Sequence, residues 1–325
     1  MKSCDVLALG ELLIDFTESG TSQRGNTLLE ANPGGAPCNV LAMLQKLGKR
    51  TAFIGKVGAD FFGDLLEDTL KDAGISTRGL KRDGQVHTTL AFVHTMDGGE
   101  RSFSFYRNPG ADMRLGIEDL DDALLSSCRI FHFGTLSLTD EPCREATRVA
   151  VCRARRAGAL ISFDPNLRES LWDSLEHARE QIDWGLAQCD ILKISDNELA
   201  FMTDTEDFDE GAARILKKHP QIKLLNVTAG EQGSIAYYGN ARCQVPVFDV
   251  TAVEKTGAGD TFCACVLNYV LEHGLEGLAL QNLRDMLTFG NAAASLIIQR
   301  KGALKVMPTR EEVERQAHTG MIEDR

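Results

Sequence analysis

The sequence predicts an α/β fold: a mainly parallel central sheet with helices on both faces, carrying a small β-sheet lid. Short β-rich runs alternate with helix-length amphipathic stretches, which is the pattern of a parallel sheet covered on both sides. Between His87 and Arg107 that rhythm breaks, and two β-rich runs follow each other with a turn signal between them. The first observation predicts the core and the second the lid.

Taken in order, Val6-Leu7-Ala8-Leu9-Gly10 reads as a buried strand, followed by the polar–apolar stretch Glu11 to Phe16. Ala36 to Leu47 has helical periodicity, with Val40, Leu41, Leu44 and Leu47 on one face and Gly48 ending it. Thr51 to Gly55 is a short strand, and Phe61 to Ala73 a helix closed by Gly74. Thr88 to His94 and Ser102 to Tyr106 form a hairpin turned at Asp97-Gly98-Gly99, with Phe103 and Phe105 on one face. A lone hairpin is marginal in water, so that face must cover the main domain, a ligand or another subunit. Further strands are Ile130 to Phe133, Leu160 to Phe163, Ile191 to Ile194 and Leu224 to Thr228, separated by helical stretches. In such sheets the loops at the carboxyl ends of the strands carry the binding site. With no internal repeat or low-complexity linker, a single domain over residues 1–325 is expected, with β-lid segments at about 11–30 and 86–112 inserted.

Composition excludes several classes. Of 325 residues, 43% are hydrophobic and 25% charged, which a disordered chain cannot match. A net charge of −12 repels nucleic acid and anionic membranes unless basic residues cluster. The nearest approach to a cluster, Arg153, Arg155 and Arg156, reads as a solvated helix face. No segment reaches the roughly 18 apolar residues of a membrane span, and the first residues lack a signal-peptide layout. The 9 cysteines are odd in number and scattered, and Cys263 and Cys265 point to different helix faces. Reduced, buried thiols in a cytoplasmic protein are expected, without a zinc site.

Three glycine-containing stretches carry the chemistry. Lys255-Thr256-Gly257-Ala258-Gly259-Asp260-Thr261-Phe262 leads into an apolar helix, so uncovered N–H groups and the helix dipole favour an anion there. Asp260 in the first turn is by itself no more than a capping group. The dinucleotide fingerprint fails because Phe262 stands where a third glycine is needed. Gly48-Lys49-Arg50 and Gly55-Lys56-Val57 lack the Ser or Thr of a Walker motif. The other two stretches, Asn32 to Asn39 and Val227 to Ser234, read alone as a helix entrance and a tight turn.

Together and in this order, these motifs resemble the ribokinase-like (PfkB) carbohydrate kinases from near the start to Pro308. The resemblance runs through Gly10-Glu11, Gly34 to Asn39, Lys56 to Gly63, Phe163 to Arg168, Thr228 to Ser234, Thr256 to Asp260 and Asn291 to Ala294. Within the family, Arg101 to Asp112 and Asp164 to Trp172 look most like bacterial fructokinases. The implied fold, a central α/β domain with a β-sheet lid, agrees with the reading above.

The resemblance implies an ATP-dependent sugar kinase with Mg2+ as cofactor, most like a fructokinase that makes fructose 6-phosphate. Other acceptors it leaves open are 2-keto-3-deoxygluconate, ribose or a nucleoside; from another class, a sugar- or nucleotide-sensing protein without turnover. It makes Asp260 the base that takes the sugar hydroxyl's proton, with Gly257, Ala258 and Gly259 as the anion hole. It places Asp15, Gly34, Gly35, Asn39 and the lid residue Arg107 on the sugar. Asn166, Arg168, Lys193, Thr228, Gly230, Gly233 and Asn291 fall on the nucleotide side, and Glu198 holds magnesium through water. Small-molecule sugar and ATP are the expected partners, with no nucleic acid or membrane and a homodimer formed through the lid. His132 reads as core.

Two departures stand out. Ser195-Asp196-Asn197-Glu198 starts with Ser where the family has Asn, and Glu254-Lys255-Thr256 replaces Asp-Thr-Thr. The second bears on the monovalent cation common beside this loop: Lys255, paired by Glu254, is expected to supply part of that charge.

Overall fold

The computed structural model describes residues 2–95 and 101–323, apart from the side chains of 94, 95, 101–103 and 320–323. The expected turn at Asp97-Gly98-Gly99 and the Phe103 side chain lie outside the described residues. In chain order the strands are β1 (Cys4–Leu9), β2 (Leu13–Thr21), β3 (Thr27–Gly34), β4 (Thr51–Gly58), β5 (Ser76–Asp83), β6 (Leu90–Thr95) and β7 (Arg101–Tyr106). They continue as β8 (Cys128–Phe133), β9 (Leu160–Phe163), β10 (Ile191–Ser195), β11 (Leu224–Thr228), β12 (Ser234–Tyr238) and β13 (Ala241–Val245).

Nine of these strands build one sheet in the order β13-β12-β11-β10-β9-β8-β1-β4-β5. Pairing is parallel from β5 across to β11 and antiparallel only at β12 and β13, so the mainly parallel sheet stands as expected. Strand pleating divides the apolar residues between two cores. Val6 and Ala8 pack with Phe53 and Val57 on one face; Leu7 and Leu9 pack with Ala52 and Ile54 on the other. Helices Ala36–Lys46, Ala258–His273 and Leu280–Ile297 cover the first face, and Cys143–Arg156 and Leu175–Gln188 the second. Each fully buried Leu, Ile or Phe contributes roughly 1.5–3 kcal/mol, so both layers are strongly held. His132 lies in this interior, with Nδ1 3.0 Å from Ser162 Oγ and burial pushing its pKa down to about 3.

The small sheet has the order β3-β2-β6-β7. It consists of two hairpins, β2–β3 and β6–β7, joined side by side by the parallel pair β2–β6 from Ile14↔Leu90 to Thr17↔Val93. The polar–apolar stretch after Glu11 is therefore the beginning of a long strand, whose outer half is too polar to announce itself. Phe16 anchors the sheet: its ring stacks on Phe92 at 5.0 Å and meets Phe62 edge-on at 5.6 Å, on the helix Phe61–Asp72.

Candidate active site

A cavity of about 310 Å³ opens between the small sheet and the carboxyl ends of the parallel strands. Asp15, Gly35, Asn39, Asn166, Arg168, Lys193, Gly257, Ala258, Gly259 and Asp260 line it together. Phe105 of β7 and Leu136 add apolar wall.

One wall is the start of helix Ala258–His273. Gly257 precedes it at φ 79°, a left-handed conformation that strains any other residue, and no side chain caps the helix. The first-turn N–H groups thus face the cavity end of the helix without a side-chain acceptor, where the dipole favours an anion. Asp260 follows in the first turn and is 7% exposed. Its Oδ2 accepts from Asn39 Nδ2 at 2.8 Å and its Oδ1 from Asn166 Nδ2 at 3.2 Å. Burial pushes its pKa above the ordinary carboxylate value, while Asn39, Lys193, Arg168 and Asn166 pull it back.

Lys193, buried within β10, donates to Asp164 Oδ1 at 3.1 Å. A Cβ on Gly259 would stand 3.0 Å from its Nζ, so the ammonium lies directly against the glycine turn. Burial alone would depress this lysine; the surrounding carboxylates Asp164, Glu198 and Asp260 raise it instead, and it stays charged. On the opposite side, burial pushes Asp15 up to about 7 against the opposing pull of Arg168. Gly34 does not line the cavity itself but backs Asp15: a Cβ there would collide with Asp15 Oδ2.

Several expected residues lie elsewhere. Arg107 does not line the cavity; its guanidinium donates to Asp112, Thr139 and Leu136, and the side chain is 3% exposed. Thr228 ends β11 beside Ser195, and Gly230 and Gly233 shape the turn into β12, outside this cavity. Asn291 is occupied by the fold: it accepts from Ser234 Oγ at 2.8 Å and donates to the Val245 and Pro246 carbonyls. Glu198 accepts from Leu167 N at 2.7 Å and Ser195 N at 2.8 Å, one on each carboxylate oxygen. Glu254 does not pair with Lys255; it accepts from Thr256 Oγ1 at 2.7 Å and Gly302 N at 3.0 Å, while Lys255 lines the cavity.

Two buried carboxyls had no role assigned from sequence. Glu11 lines the cavity and accepts from Ala36 N at 2.7 Å, and Asp164 anchors Lys193. Burial pushes both up to about 7. Their signal was an acidic residue just past the end of an apolar strand. Among the described residues no group of three His, Cys, Asp or Glu side chains is placed to hold a metal ion, and no helix is long and apolar enough to cross a membrane.

A buried carboxylate at an uncapped helix start, with a buried ammonium against the same turn, suits the transfer of a phosphoryl group to a small molecule. The chain belongs to the pfkB family of carbohydrate kinases, which it matches over residues 4–310. It is 44% identical over 306 residues to the probable fructokinase-2 of Arabidopsis thaliana, covering 94% of this chain and 93% of that one. The fructokinase of Xylella fastidiosa, solved with bound ATP, superposes with a TM-score of 0.90 at 32% identity, covering 99% of this chain and 100% of the other. A fructokinase of Vibrio cholerae O395, solved with fructose, ADP and calcium, gives 0.85 at 29% identity over 97% and 99% of the two chains.

Proposed function

We propose that this protein is an ATP-dependent fructokinase that phosphorylates O6 of fructose. The observation that carries the mechanism is Asp260, held between two amide donors at the same helix start that offers N–H groups to an anion. The fructose O6 attacks the terminal phosphorus of ATP, its proton passes to an Asp260 carboxylate oxygen, and the bond to the ADP oxygen breaks. The N–H groups around Gly257, Ala258 and Gly259 stabilise the charge on the transferring phosphoryl group, with Lys193 beneath them and Arg168 beside them. Asp15 and Asn39 hold sugar hydroxyls, Gly35 lets the backbone approach the ring, and Gly34 leaves room behind the Asp15 carboxylate.

Asn166 orients Asp260 and faces the incoming phosphate. Thr228, Gly230 and Gly233 border the nucleotide, and Asn291 supports that border by holding Ser234 and the end of β13. Mg2+ bound with ATP would neutralise charge on its phosphates, and Glu198, whose carboxylate is fixed by Leu167 N and Ser195 N, would contact it through water.

The finer assignments follow the same reading. The chain forms a homodimer through the small sheet, supported by Leu28 and Leu29, each 46% exposed on edge strand β3, and Tyr106, 67% exposed on the opposite edge strand. Location in the cytoplasm is supported by the free cysteines, buried except for Cys152.

The test is ADP release over fructose, ribose, 2-keto-3-deoxygluconate and a nucleoside. Fructose is expected to give the highest kcat/KM. A higher value for another acceptor overturns the assignment of the sugar, and binding of sugar and ATP without turnover overturns catalysis.

A further inference from the structure

Arg107 and Asp112 form an ion pair at the foot of the small sheet, each side chain 3% exposed. Arg107 directly follows β7, and its Nε donates to Asp112 Oδ2 at 2.7 Å. Thr89 directly precedes β6, and its Oγ1 donates to the other oxygen, Asp112 Oδ1. One carboxylate therefore ties both feet of the β6–β7 hairpin. The guanidinium then reaches into the main domain, donating from Nη1 to Thr139 Oγ1 at 2.9 Å and from Nη2 to the Leu136 carbonyl at 2.8 Å. The loop closes tightly on the pair: a Cβ at Gly110 would collide with Thr89 Oγ1.

What these bonds hold is the wall of the cavity. Phe105, two residues before Arg107, lines it from the small sheet, and Leu136 lines it from the main domain. The Thr89 carbonyl accepts from Ile14 N at 3.2 Å, next to Asp15 on β2. We propose that the Arg107–Asp112 pair is a positioning device for the sugar, setting the lid's foot so that Phe105, Leu136 and Asp15 meet the ring in register. This rests on the kinase reading above. It replaces the expected direct contact of Arg107 with sugar, because the guanidinium is already committed to Asp112, Thr139 and Leu136.

The two roles make opposite predictions for Asp112→Asn. As a positioning pair, loss of the charge loosens the foot, and the KM for the sugar rises. As a sugar ligand, Arg107 is released by the same change and the KM stays or falls. Misplacement of about 1 Å costs up to about 10²-fold, so Asp112→Asn and Arg107→Lys are each expected to raise the fructose KM by about 10–100-fold. The KM for ATP should change by less than about two-fold, since the nucleotide side does not depend on this foot. Thr89→Val, which removes one hydrogen bond without removing a charge, is expected to raise the fructose KM several-fold and serves if Asp112→Asn does not fold. An unchanged fructose KM with a lower Tm makes the pair merely structural and overturns the proposal, as does tighter sugar binding in Asp112→Asn. The unmodified enzyme is assayed first on the acceptor panel: no turnover there overturns the kinase reading, and the KM ratios on its best sugar decide the pair.

Discussion

Asn39 donates its Nδ2–H to Asp260 Oδ2 at 2.8 Å, joining two residues 221 positions apart in the chain. On the proposed mechanism Asn39 thus serves the base as well as the sugar. Its amide stabilises the charged carboxylate, while burial stabilises the neutral acid. A base must be the carboxylate, so the proposed mechanism has acidification remove activity. The acid limb of kcat is expected above the ordinary Asp value of about 4, and Asn39→Ala should move it higher still. A pH–rate profile checks both; an acid limb in the variant at or below that of the parent sinks the pairing as a functional one.

Asp260→Asn keeps the shape and removes the base. Turnover on the best sugar is expected to fall by about 10²–10⁴-fold, with the thermal transition retained. Near-parental ADP release in this variant removes Asp260 from the mechanism.

Asp15 gives a stability prediction of defined sign. Folding raises its pKa to about 7 from the roughly 4 of an exposed Asp, so between these pH values the folded state binds the extra proton. Stability contributed by this group is present below pH 4 and lost as the pH rises towards 7 and beyond. Asp15→Asn has no such loss. Its Tm relative to the parent, both without ligand, should rise between pH 5 and pH 8, equivalent to about 2 kcal/mol because cavity water screens part of the full effect. A pH-independent difference would show that Asp15 is well solvated.

Lys255 lines the cavity next to the glycine turn, and Glu254 bonds to Thr256 and Gly302 instead of to it. On the proposed reading, its ammonium takes over part of the charge that a monovalent cation would bring to the turn. Turnover should change by less than about two-fold when potassium is replaced by a bulky inert cation at constant ionic strength, and Lys255→Thr should introduce potassium dependence. Strong potassium activation of the unmodified enzyme assigns that charge to an ordinary ion site.

For the proposed lid dimer, light scattering at micromolar concentration should give twice the chain mass of 35.6 kDa. Leu28→Glu together with Leu29→Glu should halve it, since charges oppose edge pairing. A single-chain mass for the parent excludes the dimer.

The parallel sheet was legible because apolar β-rich runs and helical periodicity are local signals, and the turn before Asp260 because glycine spacing is local too. The partners of Arg107 were hidden for the opposite reason. The family resemblance puts it on the sugar, but Asp112, Thr139 and the Leu136 carbonyl reach it only after the chain has folded back. Asn291 is the same case, its partners lying at the start of β12 and at the end of β13. Glu11 and Asp164 carried no role in the sequence because their chemistry comes from burial, which residue type alone does not report.

The parallel join between β2 and β6 has a consequence for the order of folding. Each hairpin alone is a marginal structure, and neither can complete the small sheet by local pairing. Since β1, β4 and β5 flank the two hairpins in the chain and share the large sheet, the join closes only when that part of the sheet has brought them together. On the ribosome the first hairpin must wait until the chain has been made through Tyr106. The roof over the cavity is thus expected to form late and to be weakly protected, its amides exchanging hydrogen well ahead of those in β1 and β8.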